Sequence, residues 1–310
     1  MKIHNEQKNA TITIKIYYYK TKKKRTFAKD FYLYKDMGKG RILFVNQEIT
    51  PFTTETPNAL FGRHLPAFTQ DLGREIRVFM PRFKSINERK NQLHEVIRLS
   101  GMNLIVNNCD HQLIIKVGSI SSARMQIYFI DNEEYFTKCG DYYDESGNFL
   151  SNNDERILFF GRGTLEAVRK LAWQPHLIHF TGWFCCMIPF YLRRINKENA
   201  FFKGTKTVLT LTDDAFNGDF GASMEKKLKA DGATAKDLRL YQNMDYKTLM
   251  KAAITYANGI VIASPNVDEE LVAFAKESKK NVLDYVEDRT QFYGQINKMY
   301  DSIIGSNINN

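Results

Sequence analysis

The sequence lacks the features that mark membrane-spanning and exported proteins. None of its 310 residues lies in an apolar run approaching the roughly 20 residues that cross a bilayer. The amino terminus alternates polar and apolar residues and has no continuous apolar core of a signal peptide. Its four cysteines form neither a CxxC pair nor a disulfide framework, and two of them, Cys185 and Cys186, are adjacent. We therefore expect a cytoplasmic protein.

Patterns that would hold a metal or a redox cofactor are also missing. No group of His, Cys and acidic residues has the spacing of a metal site, so we predict no metal. A dinucleotide site needs glycines in the first strand-to-helix turn, where backbone N–H groups approach a pyrophosphate. That turn, residues 48–58, has none, and Gly161 and Gly163 lie inside a predicted helix. We predict no nicotinamide, flavin or other cofactor.

The net charge of +9 belongs almost entirely to residues 1–40, which contain 11 Lys or Arg and 3 Asp or Glu. Three interpretations of this leader stay open. It could be a basic arm that contacts nucleic acid or an anionic surface, or a solvated and disordered tail. Alternatively, translation could begin at Met37. Since the remaining chain is nearly neutral, nucleic-acid binding is not predicted for the folded part.

After residue 40 the chain alternates short apolar runs with amphipathic segments. The run at 41–47 predicts a strand, and Phe61, Leu65, Phe68 and Leu72 recur at helical spacing before Gly73. Further strands are predicted at 75–80, 112–117, 124–131, 177–181, 206–212, 259–263 and 281–285, with a long helix at 154–172 and a closing helix after residue 285. Short runs rich in Val, Ile and Leu are typical of a parallel sheet buried on both faces. The prediction is an α/β fold with a single doubly wound, mostly parallel Rossmann-like sheet over residues 41–310.

Several motifs follow one another in a distinctive order. Glu48, Pro51 and Phe52 come directly after the first strand, and Leu65-Pro66 lies in the helix that follows. Later motifs include Asp131 with Tyr135, Asn153 with Arg156 and Phe160, Pro175 to His179 with Trp183, and Ser264-Pro265. In this order and spacing they resemble the amino-terminal half of the bacterial glycogen and starch synthases.

The resemblance implies a domain of the GT-B glycosyltransferase fold. Such synthases move glucose from ADP-glucose to the end of an α-1,4-glucan; the amino-terminal domain receives the acceptor and the carboxy-terminal domain supplies most donor contacts. About 45 residues follow Pro265, too few for a second Rossmann unit. We therefore expect the donor-binding domain to be absent and the last strand and helix to cover a sheet edge.

The sequence departs from the family where the sugar nucleotide would bind. The family's Lys-Thr-Gly-Gly is replaced by Thr54-Glu55-Thr56-Pro57, which removes the lysine and glycines that would hold phosphate. Thr56 is instead a typical helix N-cap and Pro57 a typical first helical residue. The family's Asp-Trp-His becomes residues 182–184, and its Thr-Val-His-Asn becomes residues 210–213; both lose a histidine.

Positions that align with the family's motifs are the candidates for substrate binding, although no catalytic residue is predicted. The structural alternatives are a loop-bracing hydrogen bond for Glu48, a satisfied core histidine for His179 and a core tryptophan for Trp183. For Asn153 and Arg156 they are a helix cap and a surface or inter-loop ion pair. By resemblance the candidates are Glu48, Thr54, Asn153, Arg156, His179 and Trp183.

Two functions remain open from the sequence. The first is a glycogen or starch synthase-like glycosyltransferase that is not active alone and obtains ADP-glucose contacts from a separate donor-domain protein. The second is a non-catalytic module, derived from that family, that binds α-glucan or another protein.

Overall fold

The computed structural model describes residues 40–195 and 200–305. The predicted basic leader and the alternative start at Met37 fall outside this part, apart from Gly40. Within it, ten strands form one sheet: β1 (Arg41–Asn46), β2 (Glu75–Pro81), β3 (His94–Glu95), β4 (Met102–Val106), β5 (Cys109–Ile120), β6 (Met125–Asp131), β7 (Leu177–Thr181), β8 (Lys206–Leu211), β9 (Gly259–Ile262) and β10 (Asn281–Leu283).

The strand order is β10-β9-β8-β7-β1-β2-β6-β5-β3, with β4 paired to β5. All pairs from β10 to β6 are parallel, which confirms the predicted doubly wound, mostly parallel sheet. The chain leaves β1 towards β2 and β6, then returns to the other side of β1 and builds β7 to β10. The order therefore reverses between β1 and β7. In open α/β sheets, ligands bind at the carboxyl ends of the strands at such a switch point.

One edge of the sheet differs from the prediction. Strands β3, β4 and β5 are antiparallel additions, and neither β3 nor β4 was predicted. A tight turn at 121–124, which ends with Arg124 in the left-handed region at φ 52°, joins β5 directly to β6. Parallel strands need a long crossover, so this short connection forces the antiparallel pairing.

Six helices longer than one turn flank the sheet in the described residues: α1 (Pro57–Asp71), α2 (Asn153–Lys170), α3 (Ser223–Ala230), α4 (Tyr246–Tyr256), α5 (Glu269–Glu277) and α6 (Arg289–Ile304). Short helical turns lie at 121–123, 133–137, 183–185, 188–190, 191–195, 200–202, 235–238 and 239–241. As predicted, α1 begins after an N-cap at Thr56, whose hydroxyl accepts a hydrogen bond from the backbone N–H of Ala59 at 3.0 Å.

Helix α1 continues past Pro66, which cannot donate a hydrogen bond to the carbonyl of Gly62 one turn earlier. The side chain of Asn46, at the end of β1, supplies a substitute donor: its Nδ2 lies 3.4 Å from the Gly62 oxygen. The same contact fixes the start of α1 beside the carboxyl end of β1.

Helix α6 covers the sheet edge formed by β9 and β10 and packs against α1. Its predicted apolar face is buried at Phe292, Ile296 and Met299. An ion pair joins the half-exposed Asp301 to the buried Arg74, with a separation of 2.7 Å between the carboxylate oxygen and the guanidinium nitrogen. Helix α6 therefore covers the face of the sheet on which α1 packs.

Candidate functional site

A cleft opens at the carboxyl ends of β1, β7 and β8, where the strand order reverses. It has a volume of about 330 Å³. We call it the acidic cleft, and its lining residues are Gln47, Glu48, Thr56, Pro57, Asn58, Tyr142, Tyr143, Trp183, Asp213, Asp214, Ala215 and Phe216. Three of these residues are carboxylic acids, and none of the described lining residues is basic.

Glu48 follows β1 and is half-buried in the cleft. Its carboxylate accepts hydrogen bonds from the hydroxyls of Thr56 at 2.7 Å and Tyr142 at 3.2 Å. Burial raises the pKa of Glu48, the two hydrogen bonds oppose that rise, and the nearby charge of Asp214 adds to it. The sequence-based candidate Glu48 thus lies in the cleft and also braces its walls.

Asp214, which the sequence analysis missed, is the second half-buried acid of the cleft. Its carboxylate accepts hydrogen bonds from the backbone N–H of Trp183 at 3.1 Å and from the hydroxyl of Tyr246 at 2.9 Å. Burial raises the pKa of Asp214 in spite of these donors. The signal was available: Asp213 and Asp214 are consecutive acids just after a buried strand, β8, whose carboxyl end lies beside that of β7.

Aromatic rings form the remaining surface of the cleft. Trp183 lies at its base, only 2% exposed, with its ring centroid 4.6 Å from that of Phe216 and 5.4 Å from that of Tyr142. Tyr143 stands at the mouth and is 37% exposed. Trp183 is therefore a core tryptophan at the base of the cleft, and its contact with a sugar stays a prediction.

Carboxylates and aromatic rings in one cleft can bind a neutral polyol. An ionised carboxyl is only a hydrogen-bond acceptor and pairs well with hydroxyl donors. Aromatic faces cover the apolar C–H surface of a sugar ring. The same three acids would repel a phosphate group, since like charges 4 Å apart cost about 4 kcal/mol at the effective dielectric of a protein surface.

Asn153 and Arg156 do not line the cleft, and they form neither the helix cap nor the ion pair that the sequence favoured. Asn152, not Asn153, is the N-cap position of α2, and it makes no capping bond through its side chain. Arg156 is fully buried, not at the surface. Its guanidinium donates to the backbone carbonyls of residues 135, 140 and 141 and to Oδ1 of Asn153, instead of forming an ion pair.

The physical effect of this arrangement is to hold the loop that bears Tyr142. Asn153 Nδ2 donates to the carbonyl oxygen of Tyr142 at 2.9 Å, and Arg156 donates to that of Asp141 at 2.8 Å. Burial among the rings of Phe136 and neighbouring aromatics lowers the pKa of Arg156 to about 10. The pair therefore positions a wall of the acidic cleft without touching its interior.

His179 and Thr54 are not brought to the cleft. His179 lies in the middle of β7, is fully buried beneath α6, and shares hydrogen bonds with the hydroxyls of Tyr300 and Thr210. Burial lowers its pKa to about 3, so the imidazole is neutral. Thr54 is exposed on the loop before α1 and does not line the cleft.

Other sites considered from the sequence can be tested in the described residues. Cys185 and Cys186 are unpaired and buried, and burial raises the pKa of both thiols, as expected for small core residues. No group of three His, Cys, Asp or Glu residues in residues 40–195 and 200–305 could hold a metal ion. In the same part of the chain, no helix has the length and apolar character to span a membrane.

Comparison with known proteins gives a consistent result. A family model described as the starch synthase catalytic domain matches residues 41–285. The glycogen synthase of Chlorobium luteolum is 37% identical over 172 residues, which are 55% of this chain and 35% of that protein. The glycogen synthase of Chlorobium limicola is 29% identical over 258 residues, covering 83% of this chain and 52% of that protein. The chain thus spans about half the length, or less, of these curated relatives.

Among solved structures, the catalytic domain of starch synthase IV from Arabidopsis thaliana, bound to ADP and acarbose, aligns with a TM-score of 0.64. The alignment has 12% sequence identity and covers 80% of this chain and 52% of that one. At this identity the match establishes the fold, and it confirms the GT-B-type domain that the sequence resemblance implied.

Proposed function

The chain belongs to the family of the starch synthase catalytic domain, and from this premise we propose that its acidic cleft binds the end of an α-1,4-glucan. The observation that carries the proposal is the composition of the cleft. Glu48 and Asp214 offer fixed hydrogen-bond acceptors, while Tyr143, 37% exposed, offers a ring surface above the buried Trp183. Glucan hydroxyls can donate hydrogen bonds to the carboxylates, and the apolar faces of glucose rings can pack on an aromatic ring, so a glucan would use both kinds of surface.

The nucleotide part of ADP-glucose fits the same region poorly. The hydroxyl of Thr56 already donates to Glu48 and accepts from the N–H of Ala59, and Pro57 has no N–H to offer. The N–H of Leu60 is taken by the carbonyl of Thr56. The start of α1 therefore has few free donors for a phosphate, and the neighbouring acids repel one.

We propose accordingly that glucosyl transfer from ADP-glucose, the reaction of glycogen and starch synthesis, requires donor contacts from a separate protein. The same acceptor cleft would serve this protein either as a glycosyltransferase that acts with such a partner or as a non-catalytic glucan-binding protein. They differ in whether glucose is transferred. A cytoplasmic location belongs to the proposal, since cytoplasmic reduction would keep the cysteines unpaired.

Titration calorimetry of the full chain with maltooligosaccharides, ADP-glucose and ADP tests the cleft. We expect binding of the oligosaccharides and weak or undetectable binding of ADP. Glu48→Gln and Asp214→Asn each replace a charged acceptor by a neutral one of similar shape and should weaken oligosaccharide binding about 5- to 30-fold. Glu277→Gln, which changes an exposed acid at the end of α5, should have no effect.

A transfer assay separates the two versions of the function. The purified chain is incubated with labelled ADP-glucose and glycogen, alone and together with the products of neighbouring genes. Transfer only in the presence of a partner supports the two-protein enzyme. Glycogen co-sedimentation without transfer in any mixture supports the non-catalytic form, and absence of both would refute the proposed glucan site.

A further inference from the structure

Positive charge collects along the edge of the sheet that lies opposite the acidic cleft. The chain after residue 40 is nearly neutral, with 33 Lys or Arg against 32 Asp or Glu, but this sum conceals an uneven distribution. Strands β2, β1, β7, β8, β9 and β10 run parallel, so their amino ends share one edge. We call it the basic edge and define it by Arg41, Arg77, Lys170, Lys203, Lys206 and Lys279.

The chain order brings these side chains to the same edge. Arg41 is the first residue of β1, Lys206 is the first residue of β8, and Lys203 lies in the turn before β8. Lys170 ends α2 at this edge, because the chain passes from there into the amino end of β7. Lys279 lies two residues before β10. The cations are therefore spread along the edge and do not form one compact cluster.

The acids at this edge leave the defining cations without partners. Arg77 reaches the edge through its side chain, whose guanidinium carbon lies 5.5 Å from the ring centroid of Trp173. Glu75 accepts the indole N–H of Trp173, and Asp301 pairs with Arg74. None of the six cations pairs with an acid in the part of the chain that the structure describes. Their charge is therefore available to a partner.

Interaction with helix ends explains only part of this charge. Lys170 lies at the end of α2 and Lys279 just after the end of α5, where a positive charge stabilises a helix. Arg41, Arg77 and Lys206 lie on strands and gain nothing from such an end. A requirement of the fold therefore does not account for them.

Titratable groups at this edge respond to neighbouring cations. Burial and, after it, the charge of Arg41 lower the pKa of His176, which precedes β7. Burial and then the charge of Arg193 lower the pKa of Lys280 to about 8. In both cases a nearby cation adds to the effect of burial. The local potential is positive and favours the approach of anions.

We propose that the basic edge binds the phosphate backbone of a single-stranded nucleic acid. The six parallel strands span five spacings of about 4.8 Å, or about 24 Å, which is long enough to contact several consecutive phosphates. Residues 1–40 carry 11 Lys or Arg interleaved with seven Phe or Tyr, and they precede Arg41 directly. Single strands bind to such a combination, because bases stack on aromatic rings while cations hold the phosphates.

The composition of the basic edge favours a nucleic acid over a membrane or a protein partner. Binding to a membrane surface and the centre of a protein interface both use apolar side chains beside charged ones. The large apolar side chains that are exposed in the described residues lie elsewhere, and these are Ile97, Ile105, Tyr143 and Tyr285. The acids of the cleft at the opposite edge would repel a nucleic acid and so direct it to the basic edge.

Fluorescence anisotropy of a labelled 20-nucleotide oligo-dT strand, titrated with the full chain, tests the proposal. We expect a Kd of about 1–100 µM near physiological salt that weakens as salt rises. A triple variant, Lys170→Gln with Lys203→Gln and Lys206→Gln, should weaken binding about tenfold or more. Its slope of log K against log salt should be shallower by about 2. Binding of maltooligosaccharides should not change, because the acidic cleft lies at the opposite edge.

A second triple variant is the matched control. Lys84→Gln, Lys90→Gln and Lys226→Gln change the net charge by the same amount at exposed positions, beyond the carboxyl end of β2 and on α3. This variant should bind the oligonucleotide like the wild type. Equal losses in the two triple variants would overturn the proposal, because net charge alone would then explain binding. Absence of binding by the wild type at about 50 mM salt would overturn it as well.

Two further outcomes would assign the charge to another role. A third variant, Lys22→Gln with Lys23→Gln and Lys24→Gln, neutralises part of the basic leader. If only this variant lost binding, the leader alone would hold the strand and the basic edge would be excluded. Vesicles of phosphatidylcholine with about 30% phosphatidylserine are the other probe. Vesicle binding that is lost in the first triple variant, without oligonucleotide binding, would replace the nucleic acid by an anionic membrane.

Discussion

Replacing Asp214 by Asn should make the protein more stable at neutral pH while it weakens glucan binding. The carboxylate of Asp214 is half-buried, and its charge acts on that of Glu48 in the same cleft. Asn is nearly isosteric: its oxygen can accept from the N–H of Trp183, and its NH₂ can donate to Tyr246, whose hydroxyl rotates to accept. The variant therefore keeps both contacts and loses the buried charge.

The expected gain in the free energy of unfolding is about 1 kcal/mol at pH 7. Removing the charge relieves its burial, the main cause of the raised pKa of Asp214, and its repulsion of Glu48. Two like charges 4 Å apart repel by roughly 1 kcal/mol in water and about 4 kcal/mol at an effective dielectric of 20, and the partial exposure of both acids places the effect towards the lower value. For a domain of this size, 1 kcal/mol corresponds to about 2 °C in the melting temperature.

The dependence on pH provides a second check of the same prediction. Because the pKa of Asp214 is raised in the folded protein, its contribution to stability is fully present below the unfolded pKa and is lost as pH rises through the folded pKa. The advantage of Asp214→Asn should therefore be largest at pH 7–8 and shrink as the pH falls towards the ordinary aspartate pKa of 3.8.

Urea unfolding of the wild type, Asp214→Asn and the control Glu277→Gln, each at several pH values, measures both effects. The control should follow the wild type at every pH. If Asp214→Asn were less stable than the wild type at pH 7, the hydrogen bonds of the carboxylate would outweigh its burial. The acidic cleft would then not be a site where stability is given up for binding.

Three further predictions concern the frame around the cleft. Arg156→Met should lower the free energy of unfolding by about 3 kcal/mol or more, since four oxygens, two of them in buried hydrogen bonds, lose their donor. It should also weaken oligosaccharide binding; urea unfolding and calorimetry measure the two losses. The wild type should lose stability as the pH falls from about 6.5 to 3, because buried His179 has a lowered pKa while the same residue in the unfolded protein takes up a proton in this range. His179→Gln should not show this loss. Melting temperatures measured across the range would contradict the prediction if they fell with pH equally steeply in both proteins. Asn46→Ala should lower the free energy of unfolding by about 1 kcal/mol. The loss should be much smaller in a Pro66→Ala background, because the alanine introduced at position 66 has an N–H that can donate to the Gly62 carbonyl. Additive effects in a double-mutant cycle would disprove this role of Asn46.

Local order along the chain was accessible from the sequence because it depends on neighbouring residues. The N-cap at Thr56 and the first helical residue Pro57 interact within a single turn, and the apolar face of α1 recurs at helical spacing. Strand β1 and the long helix α2 were predicted within two residues of their observed bounds. The short apolar runs predicted the parallel sheet, and the order of motifs gave the family.

Contacts between distant parts of the chain were decided only by the tertiary structure. Arg156 was expected to form a surface or inter-loop ion pair, yet it is buried under the loop at 140–142, which supplies carbonyl oxygens and no acid. Asp214 and Glu48 line the same cleft because the strand order puts the carboxyl ends of β8, β7 and β1 side by side, although the two acids are 166 residues apart in the sequence. A sequence shows which side chains are charged, but the long-range strand order determines which of them share a cleft.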